Sequence, residues 1–466
     1  MVSVRALSAL AAAIASATSI SKISPDLARQ LEAGATAFDV VIQFKQPDTV
    51  AIIPADLLSL PRGQRLRAVN LALESQAAVV QDGVKALFDS QRAASSIRFY
   101  SVQPIAFADG VSLDMVTRIA QDPNVDSIYA PLVGSINPVT VGDETNTKDD
   151  SPSEWGVDKI GAPSLWAKGT TGQDVVVANI DTGVRYTHEA LAENWRTEFG
   201  WLDAVGNSTT PVDYMGHGSH CMGSIAGSHG LGVAPGAQWV ACASCNAQGQ
   251  CPQEAIIKCA QFLLCPTNAA GDKDCTKAPH VISNSYGFNP QTLTWFDATI
   301  AAWRAAGIVP VFSNGNEGTR CNSLRYPATS SLVLSVGATD DQDALAGFSS
   351  RGPTLDNRVK PDITAPGVNI HSVDFKGDAL YRDMSGTSMA GPHVAGAVAL
   401  YLSANQDATF DQVYDALTTS AESEGVATTG QTCGSIPDIQ FPNNNFGFGR
   451  LDIFKAVSGG GGGDEA

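Results

Sequence analysis

Asp174-Val-Val-Val-Ala-Asn-Ile-Asp181 is the stretch that decides the fold. The run from Val175 to Ile180 is apolar except at Asn179, and it ends on a carboxylate. A strand with one wet face alternates polar and apolar residues; a run like this one is buried on both faces, as in a parallel sheet covered by helices. Similar runs return at Gln238–Ala243, His280–Ser285, Ile308–Ser313 and Leu332–Ala338, and helical periodicity fits 217–227, 252–264, 295–306 and 388–403. Strands alternating with helices predict an α/β domain with a mainly parallel sheet and helices on both faces. Such sheets place their chemistry at the carboxyl ends of the strands. The domain is assigned to 154–457, followed by a flexible tail over 458–466.

Working outward, Phe38–Phe44, Ile97–Ala106 and Val125–Val133 read as strands, and Arg62–Gln91 and Leu113–Gln121 as helices. They predict a small α+β unit within 18–136. Residues 137–153 are polar, charged and proline-bearing, a composition that predicts an exposed linker open to proteolysis. At the start, Met1–Arg5 is a short basic segment, Ala6–Ala15 is apolar, and Ala15-Ser16-Ala17 is a small-x-small cleavage pattern. That sequence predicts a secretion signal over 1–17 and an extracellular protein. Its apolar run is too short to cross a bilayer, so no membrane partner is expected.

The formal net charge of −18 and the lack of a dense basic patch argue against nucleic acid as a partner. Nine cysteines stand at 221, 242, 245, 251, 259, 265, 275, 321 and 433. In an oxidising compartment they allow up to four disulfides and one odd thiol, and pairing eight of them leaves ~105 connectivities open. The spacing of Cys242, Cys245, Cys251 and Cys259 is also compatible with zinc.

Three segments join a reactive side chain to glycines at an element boundary. Asp181-Thr-Gly183 closes a strand, and Gly216-His217-Gly-Ser-His220 opens a helix. Gly386-Thr-Ser388-Met-Ala-Gly-Pro-His393 begins another helix. Proline is tolerated in a first turn, so Pro392 places Ser388 at or beside the helix start, where unpaired N–H groups face any anion that forms. A serine hydroxyl attacks only when a base takes its proton, and the base needs a carboxylate to fix its tautomer. Asp181, His217 and Ser388 supply those three roles.

These blocks, in the chain order Asp, His, Ser, resemble the signatures of the subtilases over roughly 154–457. The resemblance implies an α/β serine endopeptidase acting on protein or peptide substrates through an acyl-enzyme, with Asp181 orienting the base, His217 as base and Ser388 as nucleophile. Val311-Phe-Ser-Asn-Gly-Asn316-Glu-Gly318 is similar to the segment whose asparagine binds the oxyanion, which implies that role for Asn316 rather than Asn314, beside the backbone N–H of Ser388. Ser285-Tyr286-Gly287 resembles the segment on which substrate pairs as an added strand. Residues 38–133 resemble an inhibitor-type propeptide, which implies a proenzyme that cuts itself within 134–153 and has its own propeptide as an intramolecular inhibitor; a monomer is expected.

The family resemblance implies no required cofactor and no catalytic metal. The connection Ile225–Ala234 is short and lacks the Asn-rich calcium loop found in many members. Asp362 reads either as a surface turn carboxylate or, with carbonyls near Ser331 and Val333, as one ligand of a weak structural calcium. Cys221 resembles the thiol beneath the histidine in proteinase-K-like members. Tyr326-Pro327-Ala328 places Arg325 where many members carry glycine at the base of the S1 pocket. Facing inward it would pair with an acidic P1 side chain; facing outward it would pair with surface carboxylates.

Overall fold

The computed structural model describes residues 21–32, 35–46, 57, 59–91, 96–145 and 153–459. The predicted signal over 1–17, residues 146–152 of the predicted linker and the tail beyond 459 lie outside the described residues. The chain forms two compact units, one of residues 1–59 and 68–132 and the other of 60–67 and 133–466.

In the smaller unit, strands β1 (Phe38–Phe44), β2 (Ile97–Tyr100), β3 (Ile105–Val111) and β4 (Val125–Tyr129) form an antiparallel sheet in the order β2-β3-β1-β4. The apolar positions of β1 meet Val84 and Phe88 of the long helix Arg62–Gln91, and Met115, Val116 and Ile119 of the helix Leu113–Gln121. The single strand expected over 97–106 is two strands joined by a turn. Both pair along the same hairpin, so Ile97 lies opposite Ala108 and Tyr100 opposite Ile105.

In the larger unit, seven strands form the sheet β15-β14-β13-β11-β7-β9-β8. They are β7 (Val176–Asp181), β8 (Trp201–Asp203), β9 (Gln238–Ala243), β11 (Val281–Asn284), β13 (Val309–Ser313), β14 (Leu334–Thr339) and β15 (Ile363–Pro366), and every neighbouring pair is parallel. From β7 the chain first adds β8 and β9 on one side, then crosses to build β11, β13, β14 and β15 on the other. That reversal opens a crevice at the carboxyl end of β7. Asp181 is the last residue of β7.

Two buried helices flank this end of the sheet, His217–Ala226 and Thr387–Ala404. The second is lined by Ala390, Ala395, Ala397 and Ala399, all fully buried, and these small side chains let it lie close across β11, β13 and β14. Pro392 is the sixth residue of that helix, in its second turn rather than its first. A proline there removes the hydrogen bond to the carbonyl four residues back, which is that of Ser388. That carbonyl accepts instead from Cys221 Sγ at 3.2 Å and Ser285 Oγ at 3.4 Å.

The linker expected over 137–153 needs correction in its first half. Val133–Ile136 (β5) pairs antiparallel with both Gln250–Pro252 (β10) and Tyr286–Gly287 (β12). Asn137 is fully buried, and Thr140–Thr145 (β6) pairs with Tyr381–Ser385 (β17), which in turn pairs with Ile370–Val373 (β16). Within the linker, the polar Thr140–Thr145 forms a strand because the distant edge of β17 supplies its backbone partners, not because of its own propensity.

Eight of the nine cysteines pair as Cys242–Cys259, Cys245–Cys251, Cys265–Cys275 and Cys321–Cys433. The four with zinc-compatible spacing are thus joined in two disulfides. Cys221 stays free and buried.

The expectation of a weak calcium site at Asp362 is also corrected. Lys360 Nζ lies 2.5 Å from Asp362 Oδ2 and 3.1 Å from the carbonyl of Val333, the same ligands proposed for the cation. Ser335 N and Tyr414 Oη donate to the same carboxylate, at 2.7 and 3.0 Å. The chain's own ammonium therefore takes the place of an ion. Burial pushes that ammonium below its ordinary pKa, with Asp362 pulling the other way. Breaking a buried pair from one side strands a charge, so Lys360→Met is expected to lower stability by about 3–5 kcal/mol in chemical denaturation. Adding Asp362→Leu removes the stranded carboxylate and should recover most of that loss; a double variant as unstable as the single one would refute the account.

Candidate active site

Asp181 is positioned by the central strand and turned toward the helix that His217 opens. Its Oδ1 accepts from His217 Nδ1 at 2.8 Å and from the N–H of Thr182 at 2.7 Å. The approach is close because Gly218 has no side chain: a Cβ there would sit 2.1 Å from the carbonyl oxygen of Gly183 and 3.1 Å from Asp181 Cβ. His217 is 1% exposed. Burial opposes its protonation, but the Asp181 carboxylate outweighs that and holds the imidazole well above its ordinary pKa.

Asp213 was not singled out in the sequence, yet it organises this helix start. It accepts from the N–H groups of Met215, Gly216 and Ser219 and from the hydroxyls of Ser219 and Thr182. Gly216 at the cap position has no side chain to bond those amides, so Asp213 does it from three residues upstream. An acidic residue just ahead of a glycine-capped helix is the signal that could have found it.

Ser388 is the second residue of its helix and fully buried. Its Oγ donates to the carbonyl of Ser285 at 3.4 Å, and His217 Nε2 has no hydrogen-bond partner among the described residues. Ser388 Oγ and His217 Nε2 are not bonded to each other, but Cys221 Sγ lies against both residues, 3.8 Å from His217 Nδ1 and 3.2 Å from the Ser388 carbonyl. Cys221 stands one helical turn after His217; burial pushes its thiol pKa up, so the group remains neutral.

Asn316 and Asn314 have different surroundings. Asn314 is fully buried, with Nδ2 on the carbonyl of Ser350 at 2.6 Å. Asn316 Oδ1 accepts from the N–H and hydroxyl of Thr387 at 2.9 and 2.8 Å. A backbone N–H can only donate, so this contact fixes which end of the amide is oxygen and aims Nδ2 into the cleft. There Nδ2 donates to the carbonyl of Pro138 at 2.6 Å.

The segment containing Pro138 runs through the cleft between two short strands. On one side β5 lies between β10 and β12, with Ile136 opposite Tyr286 and Ser135 opposite Gly287; on the other β6 lies along β17. The N–H of Asn137 reaches the carbonyl of Ser285 at 3.4 Å, and its side chain enters the pocket beside Arg325. Ser285, Tyr286 and Gly287 thus carry an added strand. Arg325 faces inward: Nη1 lies 3.3 Å from Asn137 Oδ1, and Nη2 donates to the carbonyl of Gly287 at 2.8 Å and Ser135 Oγ at 3.0 Å. The outward alternative for Arg325 is not observed. One residue fills the pocket while the carbonyl on Asn316 belongs to the next, so this segment sits one residue out of step with attack.

The sequence profile of the subtilase family matches residues 172–449, a span that holds Asp181, His217, Asn316 and Ser388. The chain belongs to the subtilase family. Relatives of this subtilase include bacillopeptidase F of Bacillus subtilis (strain 168), 35% identical over 389 residues, which are 77% of this chain and 26% of that protein. Subtilisin BL of Lederbergia lenta is 35% identical over 275 residues, 58% of this chain and 92% of that protein. Serine protease AprX of Bacillus subtilis (strain 168) is 35% identical over 278 residues, 53% of this chain and 61% of that protein. This subtilase therefore spans about a quarter of bacillopeptidase F and under two thirds of AprX, but nearly all of subtilisin BL.

Proposed function

We propose that the chain is a secreted serine endopeptidase, made as a proenzyme that processes itself and is held inactive by its own N-terminal region. The observation that carries the reading is a peptide laid as a strand on Tyr286–Gly287 with a carbonyl oxygen on Asn316 Nδ2, in the cleft that holds Ser388. In the reaction, His217 Nε2 takes the proton of Ser388 Oγ as that oxygen bonds to the substrate carbonyl carbon. Asp181 stabilises the imidazolium, and the oxyanion takes hydrogen bonds from Asn316 Nδ2 and the N–H of Ser388. His217 then gives its proton to the leaving amine as the C–N bond breaks, and water reverses the sequence to free the acid.

Self-processing is supported by the position of 133–145 in the cleft, and a shift of one residue along it would bring a single residue into both pocket and hole. Secretion is supported by the signal-like residues 1–17, and no described helix is long and apolar enough to cross a membrane.

The test is hydrolysis of denatured casein together with covalent labelling by a fluorophosphonate, mapped to Ser388. Only neutral imidazole can accept the proton, and the pKa of His217 is raised. Labelling is therefore expected to increase with pH through a midpoint above that of ordinary histidine. A folded protein that neither labels nor cleaves at any pH would remove the proposal.

A further inference from the structure

We infer that the pocket beside Ser388 selects a short carboxamide side chain, that of asparagine, at the residue before the cut, with Arg325 and Ser313 reading its two ends. The inference rests on the endopeptidase reading and deepens it.

Asn137 shows what the pocket accepts. Its side chain is fully buried, with Oδ1 facing Arg325 Nη1 at 3.3 Å and Nδ2 facing Ser313 Oγ at 2.7 Å. A guanidinium only donates, so the atom facing it is the oxygen, and the amide nitrogen is left to the hydroxyl, which can accept. The two ends of the carboxamide are thus matched by two different partners.

Arg325 is itself held in place. Its side chain is 8% exposed, Nη2 donates to the carbonyl of Gly287, and Nε lies 3.6 Å from Glu317 Oε1. A Cβ on Gly287 would come within 2.8 Å of Arg325 Cβ, so the glycine is what admits the arginine. The guanidinium then closes the floor where a large aromatic side chain would go.

Charge separates asparagine from aspartate. Glu317 already balances Arg325, so a P1 carboxylate would add an uncompensated charge to a closed site. An acidic preference, the inward expectation drawn from the sequence, is set aside for that reason. A leucine or phenylalanine would leave Arg325 Nη1 and Ser313 Oγ without their partner, and sites built to hydrogen-bond a side chain reject analogues that lack the group. The pocket residue, Asn137, and the residue whose carbonyl meets Asn316, Pro138, are neighbours in this bound segment.

The experiment uses the full chain, with its reactive serine first counted by fluorophosphonate. kcat/KM is then measured on tetrapeptide anilides that differ only at P1: Asn, Asp, Leu and Phe. Asn is expected to exceed Leu and Phe by roughly 10²-fold or more, the scale set by unpaired polar groups in a specificity site, and to exceed Asp. Arg325→Gly should reverse the order of Asn and Phe. Ser313→Ala, a smaller change, should lower the Asn rate and spare Leu, so the inference stays testable if the arginine variant does not fold. A labelled preparation that cleaves after Leu or Phe as well as after Asn overturns the pocket assignment and leaves the endopeptidase standing; a preparation that does not label removes both.

Discussion

Ser388→Ala is expected to cut turnover of a peptide substrate by about 10⁶-fold while leaving the fold intact, a magnitude carried over from subtilisin rather than calculated from these distances. The loss is large because, among the described residues, no other side chain in the cleft is assigned to form the acyl bond. The neighbouring thiol of Cys221 has its pKa raised by burial and donates to the Ser388 carbonyl. The cost in stability is small, since Ser388 Oγ makes only a 3.4 Å contact to the carbonyl of Ser285. His217→Ala should lose a similar amount, and the double variant little more, because the two groups act as one unit. Intact mass of the variant adds a second readout: if the chain cuts itself, Ser388→Ala should keep residues 133–153 joined on both sides. Normal trimming of the pure variant would sink self-processing without touching the protease reading, whereas wild-type turnover would sink both.

The second large effect belongs to Asn316. Asn316→Leu is expected to lower kcat by roughly 10²–10³ with KM nearly unchanged, again the size known for subtilisin. The reason is geometric. Thr387 holds the amide oxygen, so Nδ2 points at the carbonyl without searching for it, and a donor already oriented contributes most when charge develops. Asn314→Leu should behave differently, because Asn314 Nδ2 satisfies the buried carbonyl of Ser350 and its loss would register in stability first. A kcat signature at Asn314 and none at Asn316 would show that the donor has been misassigned.

Asp181, His217 and Ser388 stand out in the sequence because each sits inside a short block that carries its own local geometry: a strand end, a glycine-flanked helix start, a small-residue helix. The parallel sheet was legible for the same local reason, since strands buried on both faces show as apolar runs. What the sequence did not disclose depends on partners far along the chain. Thr140–Thr145 looks like linker until Tyr381–Ser385 offers it an edge. Proline suits a first turn, and the second-turn position of Pro392 is compensated by Cys221 and Ser285, residues remote in sequence. Asp362 resembles a calcium ligand because a carboxylate beside carbonyls suits a cation; the cation is Lys360 Nζ, only two residues away, and what the sequence hides is the fold that brings the carbonyl of Val333, 27 residues off, onto the same ammonium. Among the cysteines, spacing alone could not choose a pairing.

The disulfide between Cys321 and Cys433 has a practical consequence for how damage to this protein is observed. It spans 112 residues, including Ser388 and its whole helix, and links the loop leading to Arg325 with the hairpin of Thr432–Cys433 and Ile436–Pro437. A single cut anywhere inside that span leaves one covalent molecule. On a gel run without reductant, a clipped chain would keep the mass of a whole one, and only reductant would release the two pieces. Band size under oxidising conditions therefore overstates how much of the chain is unbroken, so shelf life is to be judged from reduced samples.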